Sequence, residues 1–138
     1  MVDRDALSSR LSALAGYLKE LCEFRGLPRE RFVREAALHH LAERYLHLAT
    51  ECAIDIAHHL VSDLGLPIPQ TYKEAFDTLA TAGLLPADLA EKLKSWVGFR
   101  NILVHLYLVI DHGLSYDAIV DDLEDLEAFA AFAARQLK

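Results

Sequence analysis

The chain has 138 residues, of which 53% are hydrophobic, and carries 21 acidic against 14 basic residues for a net charge of −7. That length fits one domain spanning residues 1–138, with enough apolar content for a substantial core. The negative balance argues against indiscriminate electrostatic binding of nucleic acid. No run reaches the roughly 18 uncharged apolar residues of a membrane span, and Asp3, Arg4 and Asp5 open the chain without a secretory-type apolar stretch, so a cytoplasmic protein is expected. Cys22 and Cys52 read as small buried hydrophobes, too few for a disulfide framework or a zinc site.

The predicted elements are helices nearly throughout. Leu7, Leu11, Leu14, Leu18 and Leu21 recur at helical spacing and predict a first helix from Arg4 to Phe24. Arg25-Gly26-Leu27-Pro28 breaks it, and a second, long helix is predicted from Arg29 to Leu64. Its apolar stripe contains Leu38, Leu41, Tyr45, Leu48, Cys52, Ile56 and Leu60. Opposite runs a polar stripe of His40, Glu43, His47, Glu51, Asp55 and His58, with His39 and His59 to its side. By default such a stripe is a solvent face, though His and carboxylates at this spacing also suit a metal. After the loop Leu66-Pro67-Ile68-Pro69-Gln70, Thr71 and Glu74 have capping-box spacing and open a short helix that Gly83 closes. Pro86 starts another, and a last helix runs from near Ser115 to the C-terminus. The fold class is an all-α, up-and-down bundle with one long helix.

The segment Phe99-Arg100-Asn101-Ile102-Leu103-Val104-His105-Leu106-Tyr107 sets polar groups inside an apolar run. Taken alone, Arg100 and His105 read most simply as satisfied polar residues of a helical core. The other reading is phosphate chemistry, since Arg offers a charged planar fork and His moves protons near neutral pH. Leu89, Leu93, Trp96, Leu103 and Tyr107 permit one continuous helix, whereas Gly98 and Asn101 permit a kink, with Asn101 as N-cap. On a regular helix five residues turn about 500°, leaving Arg100 and His105 roughly 140° apart. Either the helix breaks at Asn101, or two chains each contribute a motif to one composite site, which predicts a symmetric dimer.

Charge is uneven along the chain. Arg25, Arg29, Arg31 and Arg34 cluster early, and Lys92, Lys94 and Arg100 lie around the motif. Acidic residues Asp117, Asp121, Asp122, Glu124, Asp125 and Glu127 gather near the end, as a solvated helix face or a docking surface for a basic partner. There is no G-x-G-x-x-G, P-loop, G-x-S-x-G or H-E-x-x-H motif.

Arg100, His105 and Tyr107 match the R-x4-H-x-Y signature of HepT-type toxins of the HEPN superfamily. The wider frame is similar as well: Leu41 to Arg44, Glu51 to Ala57, Pro69 to Phe76, Gly83 to Leu85, then the motif and the closing helix from Tyr116 to Phe129. The resemblance implies a HEPN-like bundle and the toxin of a type VII-like toxin–antitoxin pair. It implies a homodimeric, metal-independent endoribonuclease without cofactor, in which the ribose 2′-hydroxyl attacks the adjacent phosphate. His105 would be the general acid or base and Arg100 the phosphate ligand, with Asn101 a donor or a helix cap. Glu51 and Asp55 would orient Arg100 or His105. Tyr107 would be the residue to which a minimal nucleotidyltransferase antitoxin attaches AMP; by side-chain chemistry alone it is a partly buried aromatic with a polar tip. The alternatives are a non-catalytic HEPN module that binds nucleotide or RNA, and a metal-dependent bundle using His40, Glu43 and His47.

Overall fold

The computed structural model describes residues 3–137, and among them there are helices and no strand. Helix α1 (Arg4–Glu23) starts where the Asp3 carboxylate accepts from the Ala6 amide at 3.1 Å, and it buries Leu7, Leu14, Leu18 and Leu21. A short 3₁₀ turn, Phe24–Gly26, leads to α2 (Arg29–Arg34) and α3 (Ala36–Asp63). These are followed by α4 (Tyr72–Thr81), α5 (Ala87–His105), α6 (His112–Asp117) and, beyond a π-helical turn at Ala118–Asp122, α7 (Leu123–Gln136). The expected last residue of that closing helix, Lys138, lies outside the described residues.

Helix α3 is the axis of the bundle and touches every other helix. Helix α1 runs along one side, α4 and α5 pair on another, and α7 closes the core against α1, α3 and α5. Phe32, Phe76, Phe129 and Phe132 are fully buried in one apolar cluster with the leucines of α1 and α3. Each such ring withdraws on the order of 150–250 Å² from water, which makes them the heaviest contributors to burial.

The long helix expected from Arg29 to Leu64 is two helices. Glu35 is extended at φ −90°, ψ 108°, and separates α2 from α3. The turn brings Phe32 into the core, edge-on to Phe24 and Tyr116. It also frees helix carbonyls, and Phe32 O is taken by His39 Nδ1 at 3.1 Å. His39, assigned no part by its spacing, is therefore the buried residue that tolerates the break.

Turn chemistry follows the sequence more closely. Gly65 and Gly83 adopt φ of +67° and +77°, ending α3 and α4 as only glycine does without strain. Thr71 Oγ1 accepts from the Glu74 amide, while Glu74 Oε2 reaches one residue beyond the usual box to the Gln70 amide at 2.8 Å.

Helix α5 runs unbroken through Gly98 and Asn101, so of the arrangements the sequence permits it is the continuous helix that forms, with no restart at Asn101. Ala90, Leu93, Trp96 and Val97 are buried along it, and Trp96 Nε1 donates to Asp125 Oδ2 at 3.3 Å. The helix continues to His105 and ends at Leu106, where φ is −120° and ψ 38°. The single last helix expected from near Ser115 is α6, the π-helical turn and α7 in succession, and it starts earlier, at His112, because Asp111 caps α6 by accepting from the Gly113 and Leu114 amides.

Candidate active site

The polar stripe of α3 is a solvent face only in part: His40 and Asp55 are exposed, whereas Glu43 is buried and His47, Glu51 and His58 are half-buried. Glu43 is 6% exposed, and its Oε2 accepts from His112 Nδ1 and Ser115 Oγ, both at 2.7 Å. The His112 ring stacks on His39 at 3.6 Å between centroids. These contacts clamp α6, the element that follows the motif, onto α3. The spacing rule placed these groups in water because α6 is distant in sequence and its docking carries no local signature.

Two turns further along the stripe, Glu51 faces the end of α5. Glu51 Oε1 accepts from Arg100 Nε, and Arg100 Nη1 donates to Asn101 Oδ1 at 2.9 Å. The guanidinium carbon lies 5.5 Å from the centre of the Tyr72 ring. Only 12% of the Arg100 side chain is exposed, yet Nη2 has no hydrogen bond among the described residues. The fork is thus fixed by its other nitrogens with one edge left over, a geometry suited to a phosphate oxygen.

A second cation joins the chain of contacts. Arg44 Nη1 lies 3.2 Å from His47 Nδ1. Arginine only donates, so Nδ1 accepts and the His47 proton sits on Nε2, 3.5 Å from Glu51 Oε1. Burial, with Arg44 and Arg100 nearby, pushes the His47 pKa down against the pull of Glu51, which agrees with a neutral ring.

His105 contrasts with these groups. It is the last residue of α5, is exposed, and has no hydrogen bond or ion pair among the described residues. Leu106 turns the chain, and Tyr107 sits in a 3₁₀ turn, Tyr107–Val109, at 68% exposure, not partly buried as its aromatic character suggested. A cleft of about 470 Å³ between α3 and this turn is lined by His40, Arg44, His47, Leu103 and Tyr107. On the other side of Arg100 a cleft of about 490 Å³ is lined by His58, Gln70, Tyr72, Lys73 and Asn101.

The structure therefore brings Arg100, Asn101 and Glu51 together and sets Asp55 apart. Asp55 is exposed and pairs with Arg10 at 3.8 Å, because four residues along α3 carry it past α5 to α1. Asn101 is a mid-helix residue, not a cap, since Arg100 occupies its side-chain oxygen. Among the described residues no group of three or more His, Cys, Asp or Glu is placed to hold a metal ion. The early arginines do not form an open basic patch. Arg29 pairs with Asp117, which raises its pKa, Arg25 with Glu127, and Arg31 with Glu35. The acidic end of the chain is engaged in part: Asp117 and Glu127 take these arginines and Asp125 is buried against Trp96, whereas Asp121, Asp122 and Glu124 are exposed. Tyr72, Arg44 and Lys73 were not singled out as site residues by sequence reasoning. Helical periodicity does not reveal which residues of α4 meet the end of α5.

No described helix is long and apolar enough to cross a membrane. The family model for "Ribonuclease HepT-like" proteins matches residues 14–132. A tRNA nuclease HepT of Aphanizomenon flos-aquae is 33% identical over 113 residues, 82% of this chain and 77% of that protein. An mRNA nuclease HepT of Shewanella oneidensis is 38% identical over 79 residues, which span 57% of this chain and 59% of the relative. Among solved structures, a tri-AMPylated Shewanella oneidensis HEPN toxin in complex with MNT antitoxin superposes with a TM-score of 0.87 at 27% identity, covering 98% of this chain and 99% of that one. With its all-α bundle and its R-x4-H-x-Y segment at the end of α5, the chain belongs to the HepT-like ribonuclease family of HEPN toxins.

Proposed function

We propose that this protein is the toxin of a toxin–antitoxin pair, a metal-independent endoribonuclease acting in the cytoplasm as a homodimer. The observation that carries the proposal is Arg100, held by Glu51 and Asn101 with one edge free, one helical segment away from the exposed His105. In the reaction the ribose 2′-oxygen attacks phosphorus and the bond to the leaving 5′-oxygen breaks. Arg100 holds the phosphate and stabilises charge on its non-bridging oxygens. His105 takes or gives a proton, which an imidazole does near neutral pH.

The dimer completes the site. Arg100 faces α3 of its own chain, whereas His105 is bare, as expected if the second motif supplies the rest of its surroundings. Next to His105, Leu106, Leu108 and Val109 are exposed, Leu108 at 86%, as are Ile102 and Leu114 on the flanking helices, a concentration of apolar side chains that water does not favour. Pairing of two such surfaces places both motifs at one cleft.

Regulation is read from Tyr107 in the same way. The structural relative is AMPylated and bound to an MNT antitoxin. Here the Tyr107 phenol is open to a modifying enzyme and borders the cleft that holds Arg44 and His47. AMP on that oxygen adds bulk and negative charge where RNA phosphate would enter.

The test is RNA cleavage by purified protein in EDTA, with Arg100→Ala and His105→Ala alongside and the mass of the Tyr107 peptide checked. Cleavage that persists in EDTA and is lost in both variants supports the proposal. RNA binding without cleavage by adduct-free protein replaces it with a non-catalytic binding module.

A further inference from the structure

The cleft on the α4 side of Arg100 has the composition of a nucleotide site and is left unused by the chemistry at Arg100 and His105. It holds about 490 Å³ between the start of α4 and the middle of α5. Tyr72, first residue of α4, is 49% exposed, although its backbone lies in a fully capped helix start. The Arg100 guanidinium lies 5.5 Å from its ring centre, and the His58 ring meets it edge-on at 5.9 Å. Nε2 of His58 is out of contact with water and has no hydrogen-bond partner. An imidazole nitrogen buried without a partner is costly unless something else supplies one. Burial lowers the His58 pKa, so its ring stays neutral, with one nitrogen donating and one accepting.

Polar groups surround that ring. Asn101 gives its side-chain oxygen to Arg100, and its amino group has no partner among the described residues. The Lys73 amine forms no ion pair among the described residues and sits beside α5, 3.7 Å from where a methyl on Gly98 would lie. This differs from Lys94 on the same helix pair, which is bound by both Asp77 and Glu91. An exposed aromatic ring, amides, an unsatisfied imidazole and a free cation line one cleft, its Tyr72 and Asn101 in contact with Arg100, and form a set that single-stranded RNA recognition uses: a ring to stack a base, amides for its edge, a cation for the backbone.

We propose that this cleft is the subsite for the nucleotide adjoining the scissile phosphate, with its base stacked at Tyr72, its edge read by His58 and Asn101, and its outer phosphate held by Lys73. The subsite rests on the ribonuclease reading above and deepens it, because Arg100 then grips one phosphate while Tyr72 fixes the base of the adjoining nucleotide. It places base preference on α4 and α5 of one chain, apart from the cleft that borders Tyr107.

The test uses a short mixed-sequence RNA, 2′-O-methylated throughout so that it resists cleavage, with one 2-aminopurine as a fluorescent base. Wild-type protein is expected to bind it and quench its fluorescence. Tyr72→Ala should weaken binding on the order of tenfold and abolish the quenching, while Tyr72→Phe retains both. Lys73→Gln should lower the slope of log affinity against log salt by about 0.7, the share of one single-strand phosphate contact. In parallel, cleavage of unmodified RNA by Tyr72→Ala should lose base preference next to the cut. If Tyr72→Ala and Lys73→Gln bind and cleave like wild type while His105→Ala abolishes cleavage, the subsite is wrong and the ribonuclease reading stands. If wild type neither binds nor cleaves RNA, both fall. Displacement by free AMP as effective as that by the RNA strand overturns the assignment to a strand.

Discussion

The two halves of the motif are built in opposite ways. Arg100 is nearly enclosed, with Nε on Glu51, Nη1 on Asn101 and its plane by Tyr72. His105, five residues on at the end of α5, and Tyr107, in the 3₁₀ turn after it, are exposed. A group that must hold charge in place gains from being fixed beforehand, because no reorganisation is then needed during reaction. A group that must exchange a proton, or accept a modification, has to remain accessible. On the function proposed above, one chain fixes the arginine by itself, and the exposed His105 is the part that a second chain would complete.

The sharpest way to break that contrast is to remove each half. Both Arg100→Ala and His105→Ala should reduce cleavage on the order of 10²–10⁴-fold, the usual worth of a positioned acid–base or charge-stabilising group. Stability should separate them. Arg100→Ala strands Glu51 and should cost about 1–3 kcal/mol, whereas His105→Ala should leave the denaturation midpoint unchanged, as measured by urea titration. Equal destabilisation would dissolve the contrast.

A second prediction concerns the apolar turn. Leu108→Asp should shift the protein from dimer to monomer in sedimentation equilibrium and remove most cleavage, with the helical circular dichroism intact, since Leu108 is almost fully exposed in the single chain. A variant that remained dimeric would move the interface elsewhere.

A smaller effect is expected at Glu51. Glu51→Gln keeps the shape of the contact to Arg100 but replaces a charge-assisted hydrogen bond with a neutral one, for a loss in kcat of about tenfold. Arg100→Lys should not restore what Glu51→Gln loses, because an ammonium cannot reproduce the fork.

The smallest is a pH effect. His47 and His58 both have pKa values lowered from 6.5, chiefly by burial. The unfolded chain therefore takes up protons at a higher pH than the folded one. Stability contributed by these sites is complete above 6.5 and declines as pH drops from there through their lower folded values. His47→Gln should flatten that decline in the thermal midpoint measured between about pH 5 and pH 7.5.

Much of this was legible in the sequence, and the failures share a cause. Helix positions and the turns at Gly65, Gly83 and Thr71 followed from local rules, since capping and left-handed glycine are local chemistry. So did the location of the Arg100–Tyr107 segment. What local rules missed was set by distant partners. Glu35 breaks the long helix because Phe32 has a core to enter and His39 to take its carbonyl. Glu43 left the solvent face because His112 and Ser115 come back to it. Asn101 is an attractive cap by composition, but Trp96 anchored to Asp125 keeps the helix running through it. Glu51 and Asp55 looked equivalent on the stripe, and only the placement of α5 and α1 tells them apart.

If one chain fixes the arginine while two chains together complete the site, mixed dimers of two inactive variants regain activity. Arg100→Ala and His105→Ala chains, each inactive alone, are co-expressed with different tags and the heterodimer purified through both. The mixed dimer is expected to recover cleavage, to about half of wild type if each symmetric position acts independently, because one intact Arg100 and one intact His105 meet across the interface. A mixed dimer as inactive as its parents would contradict it, and would place Arg100 and His105 of the same chain at each scissile phosphate.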